Sequence, residues 1–233
     1  MKNSGHIILT GADGGLGVPV LTRLLEDGYQ VTAVIHSPDK VSGLRERFPA
    51  AALRVLAADL TTEAGAAGIF EGAGALRGVV HLAGGFQGAK TLADTSLETF
   101  ERMIALNTRA TFLVIRSAMS LLKRLGSGAI VTVGARPAVH PGQENAVYAA
   151  SKAAVINLTL TAAEEGRSRH VTANVLVPNV IRTAGNLAWA SSPAEADKWT
   201  PPEDIASVIS YLMSGEGAPV TGTVIPLYHG MKG

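Results

Sequence analysis

Tyr148 and Lys152 lie four residues apart in a stretch of helical periodicity, which puts a phenol and an ammonium on one face, a turn apart. With a pKa of about 10, a phenol is a poor proton carrier at neutral pH. A neighbouring ammonium favours the phenolate, and moving that pKa to neutrality needs roughly 4 kcal/mol of differential stabilisation. The pair therefore suits general acid–base chemistry. Far upstream, Thr10-Gly11-Ala12-Asp13-Gly14-Gly15-Leu16-Gly17 joins a short apolar β-branched run to a helical one. There Gly11 permits a tight turn, Gly15 lets backbone N–H groups approach a pyrophosphate, and Gly17 lets the helix sit close to the strand. The helix N-terminus adds partial positive charge facing the phosphates. Taken singly, each feature has a bland alternative: an ordinary Gly-rich turn, or a packed aromatic beside a solvated lysine. Their conjunction favours the chemical reading.

Other chemistries are disfavoured. With no cysteine there is no disulfide framework, thiol nucleophile or thiolate metal site, which fits a cytoplasmic protein. The histidines at positions 6, 36, 81, 140, 170 and 229 include no pair at ligand spacing, so no metal is expected. His81 reads as a hydrogen-bonded residue at a strand end. The net charge of +1 is spread without a Lys/Arg block, so neither nucleic acid nor an anionic membrane is expected as a partner. No apolar run reaches the length of a membrane span, and Met1-Lys2-Asn3-Ser4-Gly5 lacks a signal-peptide core.

These groups need a scaffold. Short β-branched runs alternate with longer helical patterns, the mark of βαβ units and a parallel sheet covered on both faces. Strands are expected at His6–Thr10, Gln30–Ile35, Leu53–Ala57, Gly78–Leu82, Ala129–Val133, Val171–Val177 and Thr223–Pro226. Helices are expected at Leu16–Asp27, Val41–Phe48, Thr62–Gly72, Leu97–Leu125, Ala146–Arg167 and Pro202–Met213. The fold class is thus α/β, a doubly wound, parallel, seven-stranded Rossmann-type sheet in one domain spanning 1–233. Its ligand crevice should lie at the carboxyl ends of the strands. The irregular stretch 179–200 is the expected substrate loop or lid.

The spacing T-G-x-x-x-G-x-G resembles that of the short-chain dehydrogenase/reductase family, and further matches follow in order. Ala58-Asp59-Leu60 follows the third strand. His81-Leu82-Ala83-Gly84 looks like the family's N-N-A-G with His81 in place of the first Asn. Asn107 matches its structural and catalytic Asn, Tyr148 to Lys152 its Y-x-x-x-K, and Pro178 to Thr183 its P-G-x-x-x-T. The resemblance implies a nicotinamide dinucleotide held by Gly11, Asp13, Gly15, Leu16, Gly17, His36, Ser37, Asp59, Leu60, Ala83, Gly84, Tyr148, Lys152, Pro178, Val180 and Thr183. It implies that Tyr148 donates the proton, that Lys152 holds the nicotinamide ribose, and that Asn107 supports Lys152 through a water. It also implies a homodimer or homotetramer packed through Leu97–Leu125 and Ala146–Arg167. An acid at the end of the second strand binds the ribose hydroxyls in NAD enzymes, and here that place holds Ile35. Without a carboxylate to repel a 2′-phosphate, and with His36, Ser37 and Lys40 following, NADP(H) is favoured over NAD(H).

One departure is informative. The family's catalytic Ser lies thirteen residues before the Tyr, and that residue here is Ala135. A methyl group cannot donate a hydrogen bond to a developing alkoxide, and losing such a donor costs about 10²–10³ in rate. The dihydropteridine reductase branch resembles this chain in having Ala there, in a T-x-x-G-A-[RK] run like Thr132 to Arg136. It has A-G-G plus an aromatic, like Ala83 to Phe86, and a W-T-P like Trp199-Thr200-Pro201. The expected function is therefore reduction of a small activated acceptor, quinonoid or imine-like. The alternatives are a 3-oxoacyl or carbonyl reductase and a non-catalytic dinucleotide sensor. Phe86, Gln87, Ala135, Arg136, Val139 and Asn179, with Trp189, are the expected substrate contacts.

Overall fold

Alternation along the strands decides the layering. In β1 (His6–Thr10), Ile7 and Leu9 point to one face of the sheet and Ile8 to the other, and all three are fully buried. Burial on both faces continues along β2 (Gln30–Ile35), β4 (Leu76–His81), β5 (Gly128–Val133) and β6 (Val171–Pro178), so helices must cover both faces, while the edge strands β3 (Leu53–Ala57) and β7 (Val224–Leu227) are only partly buried. The computed structural model describes residues 5–49 and 52–230, leaving the expectation for Met1–Ser4 outside the described residues. All seven strands pair in parallel, in the order β3-β2-β1-β4-β5-β6-β7. The chain winds outward from β1 to β3 and then crosses to β4 on the other side of β1. That reversal opens a crevice at the carboxyl ends of β1 and β4, where Thr10 and His81 face each other in register.

Helices α1 (Gly17–Glu26) and α8 (Pro202–Met213) cover one face, burying Val20, Leu21, Leu24, Ile205 and Ile209 against Leu9, Val31 and Ile35. On the other face, α5 (Ala110–Leu125) and α6 (Ala146–Gly166) pack against Ile8, Val79, Ile130 and Ala173. Helix α2 (Val41–Arg47) is as expected, while α3 (Glu63–Gly68) ends earlier because Gly72 and Gly74 take positive φ and turn the chain. The second long helix, with the turn after it, is long and apolar enough by composition to cross a membrane, contrary to the sequence expectation. In the structure it packs on β5, β6 and α5 as the crossover between two strands.

The expected continuous helix Leu97–Leu125 is broken. It comprises α4 (Leu97–Met103), a widened π-turn at Ile104–Arg109, and α5. Asn107 sits in the π-turn, the kind of helix defect that proteins place at functional sites. The stretch 179–200 leaves β6 and returns to it: Ile181 and Thr200 form a parallel bridge, and Thr200 donates both N–H and Oγ–H to Asn179 Oδ1. The excursion between them carries a short turn at Leu187–Trp189 and α7 (Pro193–Ala196).

His81 is buried, paired through Nδ1 with Thr10 Oγ1 at 2.8 Å, and its Nε2 has no partner. Burial, with the Lys152 charge nearby, pulls its pKa down to about 3. The fold thus holds His81 neutral while an unfolded chain would protonate it, so stability is lost as pH falls below the ordinary value of 6.5 toward 3. Between pH 6.5 and 5 this one group should remove about 1–2 kcal/mol. Urea denaturation at the two pH values should show that loss in the wild type and a clearly smaller one in His81→Asn. Equal losses would show that His81 is not held neutral.

Candidate active site

The crevice has two connected parts that share Leu82 and Gly84. The outer part, about 270 Å³, is lined by Gly11, Asp13, His36, Asp59, Leu60, Ala83 and Gly84 among others. The inner part, about 480 Å³, is lined by residues including Leu16, Phe86, Ala135, Arg136, Tyr148, Lys152, Pro178, Asn179 and Val180. Gly15, Gly17, Ser37 and Thr183 line neither part, although Thr183 lies directly against Gly15. The glycine turn spans both. Gly11 has φ +67°, and a Cβ on it would lie 2.9 Å from the Ala83 nitrogen; a Cβ on Gly17 would lie 2.0 Å from the Gly11 carbonyl oxygen. On Gly15 a Cβ would meet Thr183 at 2.8 Å, so the turn and the segment after β6 approach as closely as glycine allows. Such a cradle, bare of side chains and continuous with the start of α1, fits an extended dinucleotide.

Ile35 stands at the end of β2 as expected, but its side chain is 1% exposed and packed in the core. Val34, Ile35 and His36 all border the outer crevice, and His36 is the first of them whose side chain is exposed. Lys40 lies 3.7 Å from Asp13. Asp59 accepts from Thr61 N and Oγ1 at 2.9 and 2.7 Å, and these hydrogen bonds hold its carboxyl below the usual range.

Asn107 organises the inner cleft. Its Oδ1 accepts from Gly85 N at 3.0 Å, while its Nδ2 donates to Gly85 O at 3.0 Å and to Ser151 Oγ at 3.0 Å. Ser151 Oγ in turn donates to the Tyr148 carbonyl at 2.7 Å. The amide therefore ties the exit of β4, the π-turn and the first turns of α6 into one unit. Lys152 Nζ donates to the Val133 carbonyl at 2.9 Å; its link to Asn107 is the shared wall at Gly84, and no direct hydrogen bond joins them.

Burial pulls Lys152 down to about 8 and pushes Tyr148 up to about 12. The expectation that the ammonium would bring the phenol toward neutrality is thus corrected. Loss of water around the phenol outweighs the cation, which is committed to a backbone carbonyl. At neutral pH Tyr148 is an acid holding its proton.

Ala135 lies in the cleft wall, 5% exposed, with a methyl group where a hydroxyl was looked for. Phe86 packs edge-on against Tyr148, centroids 4.9 Å apart, and tilts against Trp189 at 5.5 Å. Two expected substrate contacts lie elsewhere. Gln87 borders a neighbouring groove and donates to Thr99 Oγ1 at 3.4 Å, and Val139 does not line the cleft. Conversely, Asn145, Ile181 and Asn186 line it without having been singled out; only the position of the last two inside 179–200 hinted at that. Among the described residues no three His, Asp or Glu side chains gather to hold a metal.

Comparison with known proteins agrees with this geometry. The family model for short chain dehydrogenase matches residues 5–193. The 3-oxoacyl-[acyl-carrier-protein] reductase MabA of Mycobacterium bovis is 30% identical over 98% of this chain and 93% of its own. Among solved structures, a candidate NAD(P)-dependent gluconate 5-dehydrogenase from Beutenbergia cavernae, with NADP bound at low occupancy, is 26% identical. It superposes with a TM-score of 0.88 over 97% of this chain and 96% of its own. A 3-ketoacyl-(acyl-carrier-protein) reductase from Brucella melitensis, complexed with NADH, shares the fold at 22% identity, with a TM-score of 0.87 over 96% of each chain.

A side chain at Gly84 would break the Asn107 unit, because its Cβ would lie 2.6 Å from Asn107 Oδ1 and 3.4 Å from Lys152 Nζ. Gly84→Ala should weaken dinucleotide binding by roughly tenfold or more, the scale of one displaced buried hydrogen bond. Gly68→Ala, with nothing within 4 Å, should leave it unchanged. Fluorescence titration with NADPH and NADH reads both; equal affinities in the two variants would show that this wall is not part of the binding site.

Proposed function

The chain belongs to the short-chain dehydrogenase family, and from that premise we propose that it is a reductase of a small carbonyl or quinonoid acceptor, with Tyr148 as its proton donor. The dinucleotide supplies the hydride when bound. The observation that carries the reading is the pairing of a phenol held protonated and a buried lysine on one helix, opening into a cleft continuous with the glycine cradle. Reduction needs a phenol that still carries its proton, and oxidation needs the phenolate. Burial keeps Tyr148 protonated at neutral pH, the state a proton donor in reduction requires.

Gly11, Asp13, Gly15, Leu16, Gly17, Ala83 and Gly84 are proposed to line the dinucleotide's path from adenosine to nicotinamide. Lys152 would orient the ribose nearest the phenol, and Pro178, Val180 and Thr183 would close the far wall. NADPH is the proposed preference. The absence of a carboxylate from the end of β2 supports it, as do His36 and Lys40 at the outer cleft; the two solved structures above hold NADP in one case and NADH in the other. A homodimer or homotetramer is proposed as well, supported by Leu97, Phe100 and Phe112 lying exposed along α4 and α5. A cytoplasmic setting and a lid role for 179–200 belong to the same proposal.

Two acceptor classes remain in view. The relatives above support a carbonyl acceptor of the 3-oxoacyl kind, and none of them is described as a dihydropteridine reductase. Ala135 favours the second class, an activated acceptor of the dihydropteridine type, since an electron-poor quinonoid or imine needs less help from a second donor. The alternatives separate on Ala135→Ser. For a protein adapted to activated acceptors, the new hydroxyl should leave quinone reduction within about twofold and raise ketone reduction by up to about 10²-fold. Brisk ketone reduction by the wild type, unaffected by the change, would remove the activated-acceptor reading.

The dinucleotide preference is tested at His36, because an acid at buried Ile35 would perturb the core. Wild type should favour NADPH in kcat/KM, and His36→Asp should shift the ratio toward NADH by like-charge repulsion. A wild-type preference for NADH of tenfold or more would overturn the NADPH proposal.

A further inference from the structure

The inner cleft contains a cation that the chemistry above does not use. Arg136, next to Ala135, lines the cleft, and its Nε is buried without a hydrogen-bond partner. Its guanidinium carbon lies 5.8 Å from the centre of the Tyr228 ring, which positions it without neutralising it. Among the described residues Arg136 forms no ion pair, and no Asp or Glu lines the cleft. The other cation of the wall, Lys152, is already bonded to Val133. A second polar atom in the same wall, Asn145 Oδ1, is likewise buried and unpartnered.

Buried polar atoms without partners cost free energy, and native folds keep few of them. Two in one cleft imply a ligand that completes them. A guanidinium is matched best by a carboxylate or a similar anionic oxygen group. Turned so that Nδ2 faces the cleft, the Asn145 amide can donate to such a ligand. Phe86 and Trp189, also in the cleft wall, are 52% and 58% exposed, an unusual price for two large rings unless something covers them.

We propose that Arg136 anchors an anionic group of the acceptor while Phe86 and Trp189 cover its ring. The substrate class is then planar, conjugated acceptors carrying a carboxylate, sulfonate or comparable anionic oxygen group. This rests on the reading of the inner cleft as the acceptor site, and it names what that site selects. Arg136 is here a specificity residue, holding the end of the acceptor remote from the reacting atom.

The test pairs a binding measurement with a kinetic one. Calorimetry on protein saturated with oxidised NADP should find that naphthoate binds about tenfold or more tightly than its neutral isostere naphthamide, the scale of a charge-assisted hydrogen bond. Arg136→Gln should bring the two affinities together. Arg136→Lys should keep part of the difference, and Phe86→Ala should weaken both ligands alike. In turnover, naphthoquinone sulfonate should have a lower KM than naphthoquinone at similar kcat, and Arg136→Gln should erase that gap. Charge preference in calorimetry without quinone turnover would uphold the anchor and overturn the reductase reading. Equal binding of the two naphthalenes by the wild type would overturn the anchor, as would a preference surviving in Arg136→Gln. A fall in kcat for both quinones with no change in the KM ratio would also overturn it, because Arg136 would then act at the reacting oxygen. Should Arg136→Gln fail to fold, a reduced preference in Arg136→Lys supports the anchor and an undiminished one overturns it.

Discussion

The position of every reacting group depends on how the Asn107 side chain is satisfied. It is buried, and both ends of its amide are committed: it brackets the two backbone groups of Gly85 and reaches Ser151 on the neighbouring helix. A buried amide left unpaired would cost on the order of 1–3 kcal/mol per group, so the three segments it joins are held in one arrangement. The π-turn at Ile104–Arg109 widens the helix where Asn107 sits. Gly84, which has no side chain, leaves the space that Asn107 Oδ1 and Lys152 Nζ border. Tyr148 and Lys152 inherit their places from this joint, since Ser151 lies between them and carries the bond.

Placing the pair by burial has an electrostatic consequence. The same walls that fix Tyr148 and Lys152 remove the water that would solvate their charged forms, so the phenol is pushed up to about 12 and the ammonium down to about 8. An acid that holds its proton can give it up only to an oxygen or nitrogen that becomes strongly basic as hydride arrives. With a methyl group at Ala135, little else in the wall shares that developing charge. On the activated-acceptor reading proposed above, an electron-poor acceptor would need less of that sharing than a simple ketone.

Much of this was legible in the sequence because it is local. The glycine spacing between β1 and α1, the alternation in Ile7-Ile8-Leu9, and the separation of Tyr148 from Lys152 each follow from one element's period. The seven strands accordingly appear where expected, with ends shifted by a residue or two at β4, β5, β6 and β7. What escaped depends on packing between distant segments. The π-turn leaves no mark in the periodicity of Leu97–Leu125. Ile181 and Asn186 enter the cleft because the excursion 179–200 is pinned at Asn179 and Thr200. The burial of Ile35 and the upward shift of Tyr148 were invisible for the same reason: desolvation is set by what lies on top of a residue, and the spacing of Tyr148 and Lys152 reports only the cation beside it.

The protonation state of Tyr148 is the claim on which the reductive reading turns. An ultraviolet difference titration of wild type against Tyr148→Phe isolates the ionisation of this one phenol from the other three tyrosines. The account predicts no tyrosinate from Tyr148 until the pH passes well above the ordinary value of 10, in keeping with a pKa of about 12. A tyrosinate step from Tyr148 at or below 10 would contradict it, because the phenol would then be activated by Lys152 and poised for oxidation as readily as for reduction.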